Sequence, residues 1–138
     1  MNCVFCEQPG GELLWQDKRC RVIAVDEPDY PGFCRVIWST HVREMTDLTA
    51  EEQTHCMKVV FAVEATLREL MNPHKINLAS LGNLVPHVHW HVIPRFEDDR
   101  NFPNPVWGKA ARENPVERNF PGLAQALSRR LYRALASV

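Results

Sequence analysis

Three of the chain's six histidines fall within five residues, His87-Val88-His89-Trp90-His91, and the run continues into Val92-Ile93. Imidazole and apolar side chains alternate without a break. Successive side chains of a β-strand point to opposite faces. His87, His89 and His91 are therefore expected on one face, and Val88, Trp90 and Val92 on the other. Neighbours on the imidazole face would stand roughly 6.5–7 Å apart, about the span of a phosphate group and its surroundings. An imidazole can donate a hydrogen bond, accept one, titrate near neutrality or attack as a nucleophile. Three arrangements suit this pattern. One is a solvent-facing strand that happens to be rich in histidine, which such regular spacing in a six-histidine chain speaks against. The others are a metal site shared by alternate histidines, and phosphoryl or nucleotidyl transfer by a histidine nucleophile. Spacing does not separate these two.

The bulk composition narrows the partners. Sixteen Lys and Arg stand against 17 Asp and Glu, a net charge of −1. That excludes a nucleic-acid partner held by bulk positive charge and leaves room for a local pocket that takes a small anion. No run of 18 apolar residues is present, so no membrane span is expected. The segment Met-Asn-Cys-Val-Phe-Cys-Glu has no basic region followed by an apolar one, so no secretory leader is expected. Five cysteines (Cys3, Cys6, Cys20, Cys34 and Cys56) are an odd number at irregular spacing. They suit a reducing cytoplasm better than a disulfide framework.

The elements that must position the histidines can be read from pattern. A chain of 138 residues is expected to form a single domain, residues 1–138. Glu12 to Gln16 and Cys20 to Val25 read as two strands around a turn at Asp17-Lys18. Asp26 to Gly32 reads as a loop, and Phe33 to Trp38 as a third strand. Thr49 is an N-cap, with Glu52 completing a capping box. Met57, Val60, Phe61 and Leu67 follow at helical spacing until Asn72, before Pro73. Lys75 to Leu81 is a fourth strand, broken by Gly82-Asn83. His87 to Ile93 is the fifth, ended by Pro94. Residues 95–121 lose all period, and five of the ten prolines fall from Pro94 to Pro121, which makes a long loop. Leu123, Ala126, Leu127 and Leu131 restore helical period in a terminal helix over 121–136, with Pro121 suited to its first turn. The fold class expected is α+β: a five-stranded antiparallel sheet, one long helix packed on it and a C-terminal helix.

The histidine run resembles the signature of the histidine triad (HIT) superfamily, His-φ-His-φ-His-φ-φ with φ apolar, and matches it completely through Val92 and Ile93. Gly82-Asn83 stands where that family usually has Gly-Gln. Cys3-Val-Phe-Cys6, and Pro31-Gly32 followed by a strand and Ser39-Thr40-His41, resemble other stretches of bacterial members. The likeness covers about residues 3–95. It implies a nucleotide hydrolase or transferase that cleaves at an α-phosphate through a covalent nucleotidyl-histidine. The middle histidine, His89, would be the nucleophile. His91 would stabilise the phosphate oxygens, and His87 would orient the centre. Asn77 resembles the family's amide that contacts phosphate or leaving group, and Asp26 its ribose-binding carboxylate. Gly82 would let the backbone approach the phosphate closely, and Asn83 would join it in binding the nucleotide. Without the resemblance, Asp26 reads equally as a loop starter, Asn77 as a solvated strand residue and Gly82 as a plain turn.

The same likeness implies a nucleotide substrate, most plausibly a dinucleoside polyphosphate or related adenosine nucleotide. It implies no metal for catalysis, and a homodimer. Some bacterial members carry a structural zinc, which here would take Cys3, Cys6, His41 and His87; two free buried thiols are the other reading of Cys3 and Cys6. One residue departs from the pattern: many members have Ser or Thr three positions before the first histidine, and this chain has Leu84. Leaving-group activation would then fall to Asn83, to another residue or to the substrate's own acidity, which favours an acidic leaving group over an amine. A phosphorylase-type nucleotidyl transferase, and a nucleotide- or zinc-binding regulatory protein with weak catalysis, are the alternatives.

Overall fold

The computed structural model describes residues 2–137. Its sheet holds β1 (Glu12–Gln16), β2 (Cys20–Ala24), β3 (Cys34–Trp38), β4 (Lys75–Ala79) and β5 (His89–Arg95) in the order β1-β2-β3-β5-β4. Every neighbouring pair is antiparallel. A short helix α1 (Val4–Glu7) precedes the sheet. The long helix α2 (Ala50–Met71) lies between β3 and β4, and α3 (Leu123–Ala134) follows the tail. The expected α+β architecture is therefore present.

The alternation in β3 and β5 divides the sheet into two unlike faces. Cys34, Val36, Trp38, Val88 and Val92 join Val59, Val60, Val63 and Leu67 of α2, and Leu127 and Leu131 of α3, in one core. Both long helices cover that face. Ile37 on the opposite face packs instead with Cys3, Phe5 and Ile23, and Ile93 with Tyr30 and Phe33. Among the described residues, no long helix competes for the histidine side. It is covered by the N-terminal segment and the tail.

The start of α2 is the one anticipated. The Thr49 hydroxyl accepts from the Glu52 N–H at 3.2 Å, and the Glu52 carboxylate accepts from the Thr49 N–H at 2.8 Å. The helix ends at Asn72 in the left-handed conformation, immediately before Pro73. Several details differ from the sequence reading: β4 stops at Ala79 rather than Leu81, and β5 opens at His89 rather than His87. Helix α1 is four residues long, too short to show a period. Pro94 does not end β5, which runs on to Arg95. Pairing of β3 with β5 stops at Cys34↔Val92, so Pro94 has a strand neighbour only in β4, an edge-like position that tolerates a missing N–H. Pro121 precedes the cap residue Gly122 of α3 rather than lying in its first turn.

Asp17 locks the first hairpin to α2. Its Oδ1 accepts from the Arg19 and Cys20 N–H groups, both at 2.8 Å, and its Oδ2 lies 2.7 Å from His55 Nε2 on α2. Burial alone would raise the Asp17 pKa. The hydrogen bonds from Cys20, Arg19 and His55 outweigh it and hold the carboxyl below its ordinary value. Stability from this group is therefore complete above the unfolded carboxyl pKa of about 4 and is lost as the pH falls through the lower folded value. Asp17→Ala should cost about 2–3 kcal/mol in urea unfolding at pH 7. Asp17→Asn should cost less, because its amide oxygen can still accept from the two backbone N–H groups. Equal losses for the two variants would contradict this role.

Candidate active site

The three imidazoles lie on one side of the sheet but do not share one environment. His89 and His91 border a cavity of about 690 Å³, together with Phe5, Arg35, Gly82 and Trp107. His87 is 1 % exposed and lies behind it. His87 precedes β5 rather than opening it. This segment is pinned on both sides, with Trp38 N–H donating to the Val88 carbonyl and Val88 N–H to the Val42 carbonyl.

Hydrogen-bond partners select the tautomer of each ring, because a carbonyl can only accept. His89 Nδ1 lies 2.6 Å from the His87 carbonyl and must donate to it. The lone pair of neutral His89 is then on Nε2. His87 Nε2 lies 2.5 Å from the Trp38 carbonyl and must also donate, leaving the His87 lone pair on Nδ1. His91 Nδ1 accepts from Arg35 Nε at 3.4 Å, so His91 Nε2 carries the proton. Rings also pack edge to face: His89 against His91 at 4.9 Å between centroids, Phe5 against His89 at 4.8 Å, and Trp107 against His91 at 4.8 Å.

Burial keeps these rings uncharged. It lowers the pKa of both His87 and His89 against the opposing effect of their carbonyl partners. Burial, then the neighbouring His89 and Arg35, take His91 down to about 3. At neutral pH the cavity therefore presents one ring nitrogen with a free lone pair, one ring N–H and one guanidinium. That set can attack a phosphorus and neutralise its oxygens.

His87 Nδ1 faces a different group. It lies 3.4 Å from Cys3 Sγ, 3.5 Å from Cys6 Sγ and 3.2 Å from His41 Nδ1, and Cys6 Sγ lies 3.4 Å from His41 Nδ1. All four donor atoms lie within 4.8 Å of one another. A tetrahedral zinc with bonds of about 2.3 Å to sulfur and about 2.0–2.1 Å to nitrogen sets its donors roughly 3.3–3.8 Å apart. Two thiols, two imidazoles and these separations fit such a centre. The free lone pair on His87 Nδ1 points the same way.

The remaining residues named from sequence are dispersed. Gly82 and Asn83 line the cavity. Gly82 has φ +82°, a conformation that L side chains rarely adopt, and this is why the chain turns there without obstructing the opening. Leu84 stands at the cavity's rim, 97 % exposed. Asn77 is on the imidazole face of β4, where its Oδ1 accepts from Arg95 at 2.8 Å. Asp26 borders a separate depression with Glu27, Asp29 and Arg118.

The tail is ordered by a buried ion pair that sequence reading did not find. Arg95, 2 % exposed, donates to both carboxylate oxygens of Asp99, 5 % exposed, at 2.8 and 3.0 Å. Arg95 also donates to the Asn104 carbonyl. The Asp99 carboxylate accepts from the backbone N–H groups of Phe96, Asn101 and Phe102 as well. This folds residues 96–104 back on the sheet and delivers Trp107 to the edge of His91. The i,i+4 spacing of Arg95 and Asp99 was the available signal, but it reads as helical where no helix forms.

Similarity to known proteins extends over most of the chain. The model of the HIT domain matches residues 8–98. An AP-4-A phosphorylase of Mycobacterium tuberculosis is 31 % identical over 81 residues, covering 54 % of this chain and 42 % of that protein. The asymmetrical bis(5'-nucleosyl)-tetraphosphatase of Schizosaccharomyces pombe is 28 % identical over 95 residues, 65 % of this chain and 52 % of that one. The matches thus span about half the length of these relatives. Among solved structures, a histidine triad protein from Bradyrhizobium japonicum superposes with a TM-score of 0.73 at 27 % identity, over 87 % of this chain and 91 % of the other. A zinc-bound histidine triad family protein from Mycobacterium smegmatis gives 0.67 at 21 % identity, over 100 % and 99 %.

Asp99→Ala would leave Arg95 as a buried charge without its partner. It should cost about 3–5 kcal/mol in denaturant unfolding and open residues 102–118 to limited proteolysis. An Asp99→Ala protein with unchanged stability and an uncut tail would contradict the anchoring role.

Proposed function

The chain belongs to the HIT-domain family, and from that premise we propose that it is a nucleotide hydrolase whose nucleophile is His89. The observation that carries the reading is the 2.6 Å contact of His89 Nδ1 with the His87 carbonyl, which turns the free Nε2 lone pair outward. Nε2 attacks the α-phosphorus. A P–N bond forms as the P–O bond to the leaving phosphate breaks, and the leaving group departs with the electron pair. His91 Nε2–H hydrogen-bonds a phosphate oxygen as charge develops. Water then attacks the phosphorus, the P–N bond breaks and the lone pair returns to His89, while the water's proton passes to solvent. Neutral rings suit both halves of the cycle.

Substrates with acidic leaving groups, such as dinucleoside polyphosphates and related adenosine nucleotides, suit a rim that carries Leu84 where many members have a hydroxyl. Asp26 and Asn77 remain assigned to ribose and phosphate only on the family resemblance. The same reading takes the protein as a single domain that acts as a cytoplasmic homodimer. Support for the dimer is Phe61, 53 % exposed on α2. Among the described residues, no helix is long and apolar enough to cross a membrane. The phosphorylase named among the relatives favours a second reading in which inorganic phosphate replaces water in the second half.

Zinc, held by Cys3, Cys6, His41 and His87, is part of the proposal as a structural ion. It would supply a fixed anchor for α1 and for the first triad histidine, and no step of the reaction passes through it.

Incubation with diadenosine tetraphosphate, an alkaline quench and intact-mass measurement should reveal an adenylyl adduct that His89→Ala lacks. Turnover surviving in His89→Ala would sink the assignment. Products formed in phosphate buffer and in phosphate-free buffer separate the two readings. Metal analysis should find one zinc per chain, lost in Cys3→Ser together with thermal stability. Purified wild type that holds no zinc, or a Cys3→Ser variant as stable as the wild type, would remove the zinc from the proposal.

A further inference from the structure

Arg35 has no counterpart among the residues picked out from the sequence. It stands on β3 directly opposite His91 of β5, on the face that carries the imidazoles, and lines the same cavity as His89 and His91. Its position is built rather than incidental. Its guanidinium carbon lies 5.9 Å from the Phe5 ring centroid and 5.7 Å from that of Phe33, a pair of aromatic contacts that limit its swing. Nε–H is given to His91 Nδ1 at 3.4 Å. Among the described residues, no Asp or Glu carboxylate lies within salt-bridge reach of it. Its terminal nitrogens have no protein acceptor there either.

A half-buried guanidinium without a carboxylate is costly unless an anion completes it. Arg35 in turn helps keep His89 and His91 neutral. We propose that Arg35 is a phosphate-binding residue of this cavity, its terminal N–H groups taking the oxygens of an anionic phosphate that His91 Nε2–H also contacts. This deepens the proposed function and rests on it for the identity of the substrate as a nucleotide, but not for the binding of the anion. A planar fork with two free N–H edges matches phosphate bidentately. It also supplies charge neutralisation beside a nucleophile whose surroundings lack a hydroxyl at residue 84. The site should therefore read the negative charge of a phosphate chain and discriminate little on the uncharged nucleoside.

Calorimetric titration of the full chain with inorganic phosphate, AMP and adenosine tests this. Arg35→Gln should weaken phosphate and AMP at least tenfold, leave adenosine within about twofold, and raise KM for diadenosine tetraphosphate. Arg35→Lys should recover part of the loss. A titration of the wild type reads the same contact in the unaltered site. The Arg35 Nε–H resonance, assigned by its absence from the Arg35→Lys spectrum, should move on titration with phosphate. Phosphate and AMP binding unchanged in Arg35→Gln, an unmoved Nε–H resonance, or a wild type that binds neither anion would each overturn the proposal. Arg35-dependent phosphate binding without turnover of any nucleotide would defeat the hydrolase reading and leave Arg35 in place. His89-dependent turnover with an unaltered KM in Arg35→Gln would do the reverse.

Discussion

Two main-chain carbonyls govern the rest of the site. The His87 carbonyl takes the Nδ1 proton of His89, and the Trp38 carbonyl takes the Nε2 proton of His87. Neither acceptor can donate, so neither ring has a choice of tautomer. The consequence is opposite for the two rings. The lone pair of His89 is turned outward to the cavity, and that of His87 sideways to Cys3, Cys6 and His41. One strand thereby serves two kinds of chemistry, because its partners are fixed backbone groups that do not depend on any side chain's rotamer.

The sheet makes this possible by being two-faced. Both long helices pack on the side carrying Val36, Trp38, Val88 and Val92. The other side is free to bury polar rings under a short N-terminal helix and a folded tail. Burial on that side is also what removes charge from the imidazoles, most of all from His91. A nucleophile must be neutral to attack, and a metal ligand must have its lone pair free. The same desolvation meets both needs. Arg35 is a fixed positive charge set beside His89 and His91. The Arg95–Asp99 pair does a separate task, turning a proline-rich stretch that has no helix or strand into the wall that holds Trp107.

Much of this was legible beforehand. Strict alternation from His87 to Val92 gave the strand, its two faces and the shared side of the three rings. The Thr49–Glu52 box gave the helix start. The Cys3–Cys6 spacing and the family likeness brought together four residues that the structure does place within contact of one another. What escaped depended on pairing between distant strands. Arg35 reads in isolation as an outward residue of a strand, since its neighbours Cys34 and Val36 are apolar. Only the register Arg35↔His91 reveals that outward means into the cavity. The separation of His87 from the other two histidines arises from tertiary closure over α1, a helix too short to leave a period. Asn77 was placed only on the strand before Gly82; its face follows from the register Asn77↔Ile93, and its bond to Arg95 from where the tail returns.

The tautomer of His89 is the point on which the mechanism turns. Long-range proton–nitrogen correlation spectra of the histidine rings at neutral pH, assigned with His89→Gln, read it directly. The expected result is a protonated Nδ1 and an unprotonated Nε2 on His89 in the free protein. A His89 ring protonated at Nε2, or at both nitrogens, would contradict it.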